Sequence, residues 1–208
     1  MISLPRSAFR RSDESTDEQF YTTARLVTHI DAKAIGAVTQ LYREYFPANG
    51  VILDLMSSWV SHLPSEVQYQ RVVGVGMNAE ELRENPRLTE WRVQNLNREP
   101  SLPFADGEFD GAAICVSIQY LTQPIAVLHE IGRVLKQNAP LVITFSNRCF
   151  PTKAIAAWQM LDDAGHSDLV AHYLAAAGNW ANIEQRDRSP SRRSDPLFAV
   201  MGRSLKEQ

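Results

Sequence analysis

"FDGAAICVSIQYLTQPIAVLHEIGRVLKQNAPLVITFS", residues 109–146, reads as one strand–helix–strand unit, and this reading decides the fold. Phe109 to Ile118 is an almost unbroken apolar run of strand length, the composition of a strand buried on both faces. Pro124 follows where a helix has no use for an N–H, in its first turn. Ile125, Leu128, Ile131 and Leu135 then recur at helical spacing and give the helix one apolar stripe. "PLVITFS" (140–146) is a second apolar strand. Two such strands joined by a helical crossover pair in parallel.

The same alternation continues outward. Upstream, Val51 to Leu55 reads as a buried strand and Arg71 to Val75 ("RVVGV") as another. "NAEELRENP" (78–86) is a short helix capped by Asn78, with Pro86 beyond its end. "TEWRVQNL" (89–96) is a third strand. Asp31 can cap a helix in which Ile35, Val38, Leu41, Tyr42 and Tyr45 share a face, closed by Pro47 and Gly50. Phe20 to Ile30 reads as one short helix before it. Downstream, residues 151–177 are expected to be helical with a break around Gly165, Ser167 capping the second part and Gly178 ending it. "WANIEQRDR" (180–188) and "LFAVMGRS" (197–204) are two closing strands separated by a loop, so they should pair antiparallel. The sum is an α/β fold: a doubly wound, seven-stranded, mostly parallel sheet with an antiparallel last strand. Ligands of such sheets bind outside the carboxyl ends of the strands, at the point where strand order reverses. The loops that matter therefore follow Leu55, Val75, Leu96 and Ile118.

Composition narrows the function classes. At 208 residues the chain is long enough for a single large core. A formal net charge of −3 shows no basic excess of the kind that marks a nucleic-acid partner. No apolar run approaches the roughly 20 residues needed to span a bilayer, so no membrane partner is expected. The two cysteines, Cys115 and Cys149, lack metal-ligand spacing and read as free thiols in or beside strands. No metal site is expected. Acids at 13, 14, 17 and 18 follow the arginines at 6, 10 and 11, and no apolar leader core is present. A cytoplasmic protein, monomeric or homodimeric, with a disordered N-terminus (1–16) and one domain over 17–205 is the expectation.

The longer stretch "LPFADGEFDGAAICVSIQYLTQPIAVLHEIGRVLKQNAPLVITFSN" (102–147) resembles the class I S-adenosylmethionine-dependent methyltransferases, the type 11-like small-molecule group in particular. A similar Leu-Pro-Phe, Asp-Gly and Phe-Asp run leads into the fourth strand of that family, and a helix ending in Arg-Val-Leu-Lys leads into the fifth. The likeness covers roughly residues 45–205. It implies S-adenosylmethionine as cofactor and methyl transfer to a small-molecule acceptor.

The resemblance also assigns residues. Asp54, at the end of the first strand, stands where an acid helps hold the cofactor's methionine amino group; capping a following helix is its other reading. Met56, Ser57 and Ser58 replace the family's Gly-x-Gly loop. The cofactor has no phosphate, so small side chains with hydroxyls can serve where a dinucleotide would demand glycines. Trp59 either turns into the core or walls the pocket, and His62 beyond it reads as a surface or capping residue. Gly76 stands where the family has the acid that accepts the ribose hydroxyls, with Asn78, Glu80 and Glu81 as nearby substitutes. Met77 falls at the adenine-packing position. Asn95, Leu96 and Asn97 occupy the loop that accepts from the adenine amino group. Ser117 and Tyr120 line the junction of cofactor and acceptor, with Asn147 and Arg148 on the same side of the sheet. In similar enzymes an N-terminal helix lids the pocket. Residues 17–46 fill that place, and Tyr21, Arg25 and His29, four apart, would share one helix face. His29 is the candidate base, with Tyr21 and Tyr120 beside it. The departures at the serine loop and Gly76 keep a second reading open: a catalytically weak or silent domain of this fold that acts by binding partners. They weigh against an NAD-dependent enzyme.

Overall fold

The computed structural model describes residues 4–206. Its frame is a seven-stranded sheet in the order β3-β2-β1-β4-β5-β7-β6. The strands are β1 (Val51–Leu55), β2 (Arg71–Gly76), β3 (Glu90–Val93), β4 (Gly111–Cys115), β5 (Pro140–Phe145), β6 (Trp180–Asp187) and β7 (Phe198–Ser204). β1 to β5 are parallel to one another, and β7 runs antiparallel to both β5 and β6. The helices are α1 (Asp17–Phe20), α2 (Ala32–Tyr45), α3 (Ala79–Glu84), α4 (Pro124–Val134), α5 (Ala156–Gln159) and α6 (Asp163–Ala177).

Strand residues alternate between two buried apolar layers. Leu53, Leu55, Val73, Ile114, Leu141 and Ile143 meet α4 and α6 on one face. Ile52, Val72, Ala113, Val142 and Met201 meet α2 on the other. Both faces are covered, which is why these strands read as continuous apolar runs. From β1 the chain winds outward through β2 and β3; from β4 it winds the opposite way through β5. The reversal lies between β1 and β4, whose carboxyl ends are level at the pair Leu55–Ile114.

Two strands are shorter than the sequence predicts: β3 stops at Val93 rather than Leu96, and β4 at Cys115 rather than Ile118, which opens a 3-10 turn. Three further local expectations are corrected. Phe20 to Ile30 is not a helix. α1 stops at Phe20, and the chain then runs through turns and bends to Ile30. The backbone groups a helix would use are bonded elsewhere: the Asn78 amide donates to the carbonyls of Tyr21 and Thr22 (2.9 and 3.2 Å), and the Arg25 N–H donates to the Glu81 carboxylate (2.7 Å). β-Branched Thr22, Thr23, Val27 and Thr28 offer little helix propensity against that competition. The helix break expected around Gly165 lies earlier, at 160–162, between α5 and α6. Asp162 caps α6 through the Gly165 N–H (2.9 Å), and Ser167 lies inside the helix, bonded back to the Asp163 carbonyl. Gly178 ends it at φ +83°, as its lack of a Cβ allows.

The third concerns the N-terminus. Residues 4–16 are structured, and residues 1–3 lie outside the described residues. Arg6–Phe9 form a 3-10 turn, and Arg11 pairs with Ile155. Arg11 also forms an ion pair with Asp17 at 2.6 Å. Lys153, fully buried, donates to the Ser15 carbonyl at 2.6 Å and meets the Asp13 carboxylate at 3.3 Å. The segment thereby crosses the carboxyl end of the sheet and is fastened there.

Candidate functional site

The loops leaving β1 to β5 and the segment laid across them enclose a cavity of about 300 Å³, a normal size for a small-molecule site. Tyr21, His29, Met56, Ser57, Ser58, Gly76, Met77, Asn95, Leu96, Asn97, Ser117 and Tyr120 all line it. Asp54 and Asn78 do not.

At the end of β1 the chain turns through Met56 at φ +53°, a left-handed conformation costly for a residue with a Cβ. The Ser57 N–H then donates to the Val75 carbonyl at 2.9 Å, so this loop lies over the end of β2. A Cβ on residue 76 would collide with the Ser57 carbonyl. Glycine at 76 is thus a steric requirement of the serine loop, and the two departures from the family pattern are one feature. Asp54 is buried beneath this loop. Its carboxylate accepts from Ser57 Oγ (2.6 Å) and Ser61 Oγ (2.7 Å), while the Asn85 amide holds Ser61 Oγ and the Ser58 carbonyl, both at 2.8 Å. Burial raises the Asp54 pKa to about 6 against those two hydrogen bonds. No helix follows β1 for Asp54 to cap; residues 56–70 are irregular. Its place is to shape the loop.

On the β2 side Asn78 caps α3 through the Glu80 and Glu81 N–H groups (2.9 and 3.1 Å) and, as above, holds the segment 17–30 that borders the cavity; α2, expected as part of the same lid, packs on the sheet instead. The two acids of α3 part company. Glu80 is exposed, whereas Glu81 is buried, lines the cavity and accepts from Ser58 Oγ at 2.7 Å. After β3, the side-chain amides of Asn95 and Asn97 reach the lid. Asn95 donates to Glu18 (2.9 Å) and Asn97 to Asp17 (2.9 Å) and to the Tyr120 carbonyl (2.9 Å). The Asn97 oxygen already accepts from the Thr122 N–H at 2.7 Å. Asn97 is therefore a structural bracket, and the Asn95 oxygen in turn accepts from the Asn97 N–H at 3.0 Å.

β4 is followed by Val116 at φ +49°, a second strained residue on the cavity wall. The Ser117 hydroxyl behind it is buried without a hydrogen-bond partner. Tyr120 accepts from the Phe150 N–H at 2.8 Å, and burial pushes its pKa up to about 12. Burial raises Tyr21 as well, so both hydroxyls stay protonated. His29 stands exposed at the rim with its ring edge-on to Phe150 (5.2 Å between centroids), and partial burial lowers its pKa. A neutral imidazole can accept a proton at neutral pH.

Phe150, which sequence reasoning passed over, is the hub of this side. His29, Tyr120 (5.9 Å) and Phe20 (5.3 Å) pack on its ring, and the Arg25 guanidinium lies over it at 5.4 Å. Asp17, Gln94, Cys115 and Cys149 also line the cavity unforeseen. Burial holds the Cys115 thiol neutral, with a pKa of about 11. Arg148 lines the cavity while paired with Asp195 (2.8 Å); Asn147 does not line it. Trp59 neither fills nor walls the cavity: its indole N–H donates to the Val27 carbonyl at 2.9 Å and pins the lid. His62 is half-buried, and burial depresses its pKa to about 4. Among the described residues no cluster of three or more His, Cys, Asp or Glu could hold a metal ion.

A family model described as a methyltransferase domain matches residues 35–143, just over half of the chain. The chain belongs to the methyltransferase-domain family. The methyltransferase domain begins within α2 and reaches β5, so it contains every loop of the cavity except those of the lid and of Arg148 to Phe150. Solved structures share the fold at low identity. A SAM-dependent methyltransferase from Aquifex aeolicus is 16% identical with a TM-score of 0.58, the match covering 83% of this chain and 92% of that one. The [4+2]-cyclase SpnF is also 16% identical, with a TM-score of 0.61 and coverage of 82% and 81%. Phosphoethanolamine N-methyltransferase 2 of Haemonchus contortus, solved with S-adenosyl-L-methionine, is 12% identical with a TM-score of 0.59, covering 82% of this chain and 52% of that one. No curated protein sequence matches. Among the described residues no helix is long and apolar enough to cross a membrane.

Proposed function

We propose that this chain binds S-adenosylmethionine in the cavity and transfers its methyl group to a small-molecule acceptor by in-line displacement. One observation carries the reading: a single cavity at the β1/β4 reversal joins a buried carboxylate, two serines and an unpartnered buried hydroxyl to a rim imidazole. The residues fit the cofactor. Glu81, from α3, supplies the carboxylate that position 76 cannot carry and would accept the ribose hydroxyls. Met77 and Leu96 offer apolar contact to the adenine, with Asn95 at its edge. Ser57, Ser58 and the free Ser117 hydroxyl supply hydrogen bonds to the methionine portion.

The bound cofactor supplies an electrophilic methyl group. This chain supplies alignment, exclusion of water by residues 17–30, and a proton acceptor. His29 takes the proton of a hydroxyl acceptor; Tyr21 and Tyr120, held protonated, wall the acceptor and act as donors. The test is release of S-adenosylhomocysteine and of methylated product with a panel of small phenols, amines and thiols, followed by mass spectrometry. For a phenol that is turned over, kcat/KM rises with pH through an apparent pKa below the ordinary imidazole value of 6.5, in the direction burial moves His29. His29→Gln flattens that limb and lowers kcat by about 10²-fold or more. A limb unchanged by the substitution removes His29 from the chemistry.

A further inference from the structure

Arg25 is the feature of the cavity that the proposed reaction leaves unused. It is half-buried, and among the described residues it forms no ion pair. Two of its N–H groups donate to the carbonyls of Thr23 (3.3 Å) and Phe20 (3.0 Å), which leaves three donors of the guanidinium fork. The other charged side chains on the cavity wall are engaged. Asp17 pairs with Arg11 and accepts from Asn97; Arg148 pairs with Asp195; Glu81 accepts from Ser58 and from the Arg25 main chain rather than its guanidinium. The guanidinium carbon lies over Phe20 (4.7 Å), Phe150 (5.4 Å) and Tyr21 (5.9 Å). Stacking of this kind engages the faces of the group and leaves its in-plane donors for a carboxylate fork. A partly desolvated cation with no counter-anion is a gap that a ligand's charge can fill.

The position of the gap selects the ligand. Phe150 follows β5, across β1 and β4 from β2 and β3, and the Arg25 guanidinium, His29 and Tyr120 gather on its ring, while the Arg25 main chain reaches back to Glu81. Resting on the methyltransferase reading above, we infer that the acceptor is a small planar carboxylate, its anionic group held by Arg25 and its ring lying among Phe150, Tyr21 and Tyr120. Arg25 is then a specificity-determining residue for the acceptor.

Benzoate and benzamide, nearly equal in shape and different in charge, separate this from simple apolar binding. Each is titrated into the protein saturated with S-adenosylhomocysteine, with wild type, Arg25→Gln and Arg25→Lys. Benzoate is expected to bind about tenfold or more tightly than benzamide, the size of one charge-assisted contact. Arg25→Gln should erase that preference, Arg25→Lys should keep part of it, and S-adenosylhomocysteine affinity should stay within about twofold of wild type, which also certifies that the variant is folded. Equal binding of the two probes, or a preference that survives Arg25→Gln, overturns the inference. So does a tenfold loss of S-adenosylhomocysteine affinity in Arg25→Gln, which would place the guanidinium on the cofactor. A wild type that binds no S-adenosylhomocysteine fails the cofactor reading itself; one that binds it and shows no preference for benzoate fails this inference alone.

Discussion

At the scale of single residues, Asp54 is taken up by the loop above it, while Glu81 turns into the cavity. Asp54 ends β1 in the place of a cofactor ligand, but two serine hydroxyls and complete burial turn it into the keystone of the loop above it. That has a consequence for stability. Asp54 titrates near 3.8 when solvated and near 6 in the fold, so between those values the folded state binds the proton more tightly than the unfolded chain. The stability linked to this group is complete below about pH 4, is lost as pH rises through 6, and stays lost above. Two pK units correspond to about 3 kcal/mol at most. Asp54→Asn keeps an acceptor for the serines and cannot ionise. Urea unfolding at pH 4 and pH 8 should therefore show the variant gaining about 2–3 kcal/mol on wild type between the two pH values, since other carboxylates titrate in both proteins and cancel. A difference that does not move with pH would mean that Asp54 ionises as freely folded as unfolded. Glu81, by contrast, was one of two acids in a short helix, and nothing in that pattern separates the buried one from the solvated one. Only the crossing of the serine loop, with Ser58 donating to it, draws Glu81 inward.

At the scale of elements, the lid is the part whose form the sequence concealed. Tyr21, Arg25 and His29 meet at the cavity, but not through the spacing of a helix. Side chains from three separate places hold the segment: Trp59 after β1 and Asn78 and Glu81 at the start of α3 bond its backbone, and Asn95 and Asn97 after β3 bond the Glu18 and Asp17 carboxylates of α1. Local periodicity cannot report such contacts, since the competing partners lie some 30 to 80 positions away. The asparagines looked like cofactor ligands for the same reason: an amide that can accept from adenine can equally donate to a lid carboxylate. Asn97→Ala tests the bracket. It strands the Thr122 N–H and frees Asp17 on one side, a loss of about 1–3 kcal/mol for groups left unsatisfied. Hydrogen exchange should quicken across residues 17–30 while β1 and β4 keep their protection. Unchanged exchange in the segment would show that the remaining tethers hold it without Asn97.

At the scale of the whole molecule, the sheet was legible because its message is redundant. β1, β2, β4 and β5 are apolar on both faces, and α2 and α4 carry apolar stripes between proline and glycine punctuation, so each element confirms the next. The reversal point and its loops followed from that order. The cavity chemistry was legible only in outline, because it depends on which of several polar side chains turns inward and which is taken up by a neighbour. Gly76 illustrates the difference: read alone it is a missing ligand, and read with Ser57 above it, it is the space that the loop requires. The family and the fold leave one central matter to experiment, whether a site rebuilt around Glu81 and a serine loop holds the cofactor. Calorimetric titration with S-adenosylmethionine and S-adenosylhomocysteine, on wild type and Glu81→Gln, tests it most directly. One site per chain with micromolar affinity is expected, weakened about 10- to 100-fold by Glu81→Gln, the range of about 1.5–3 kcal/mol for hydrogen bonds to a charged group. No heat and no thermal stabilisation at millimolar ligand, or a Glu81→Gln variant that binds as wild type does, would contradict it.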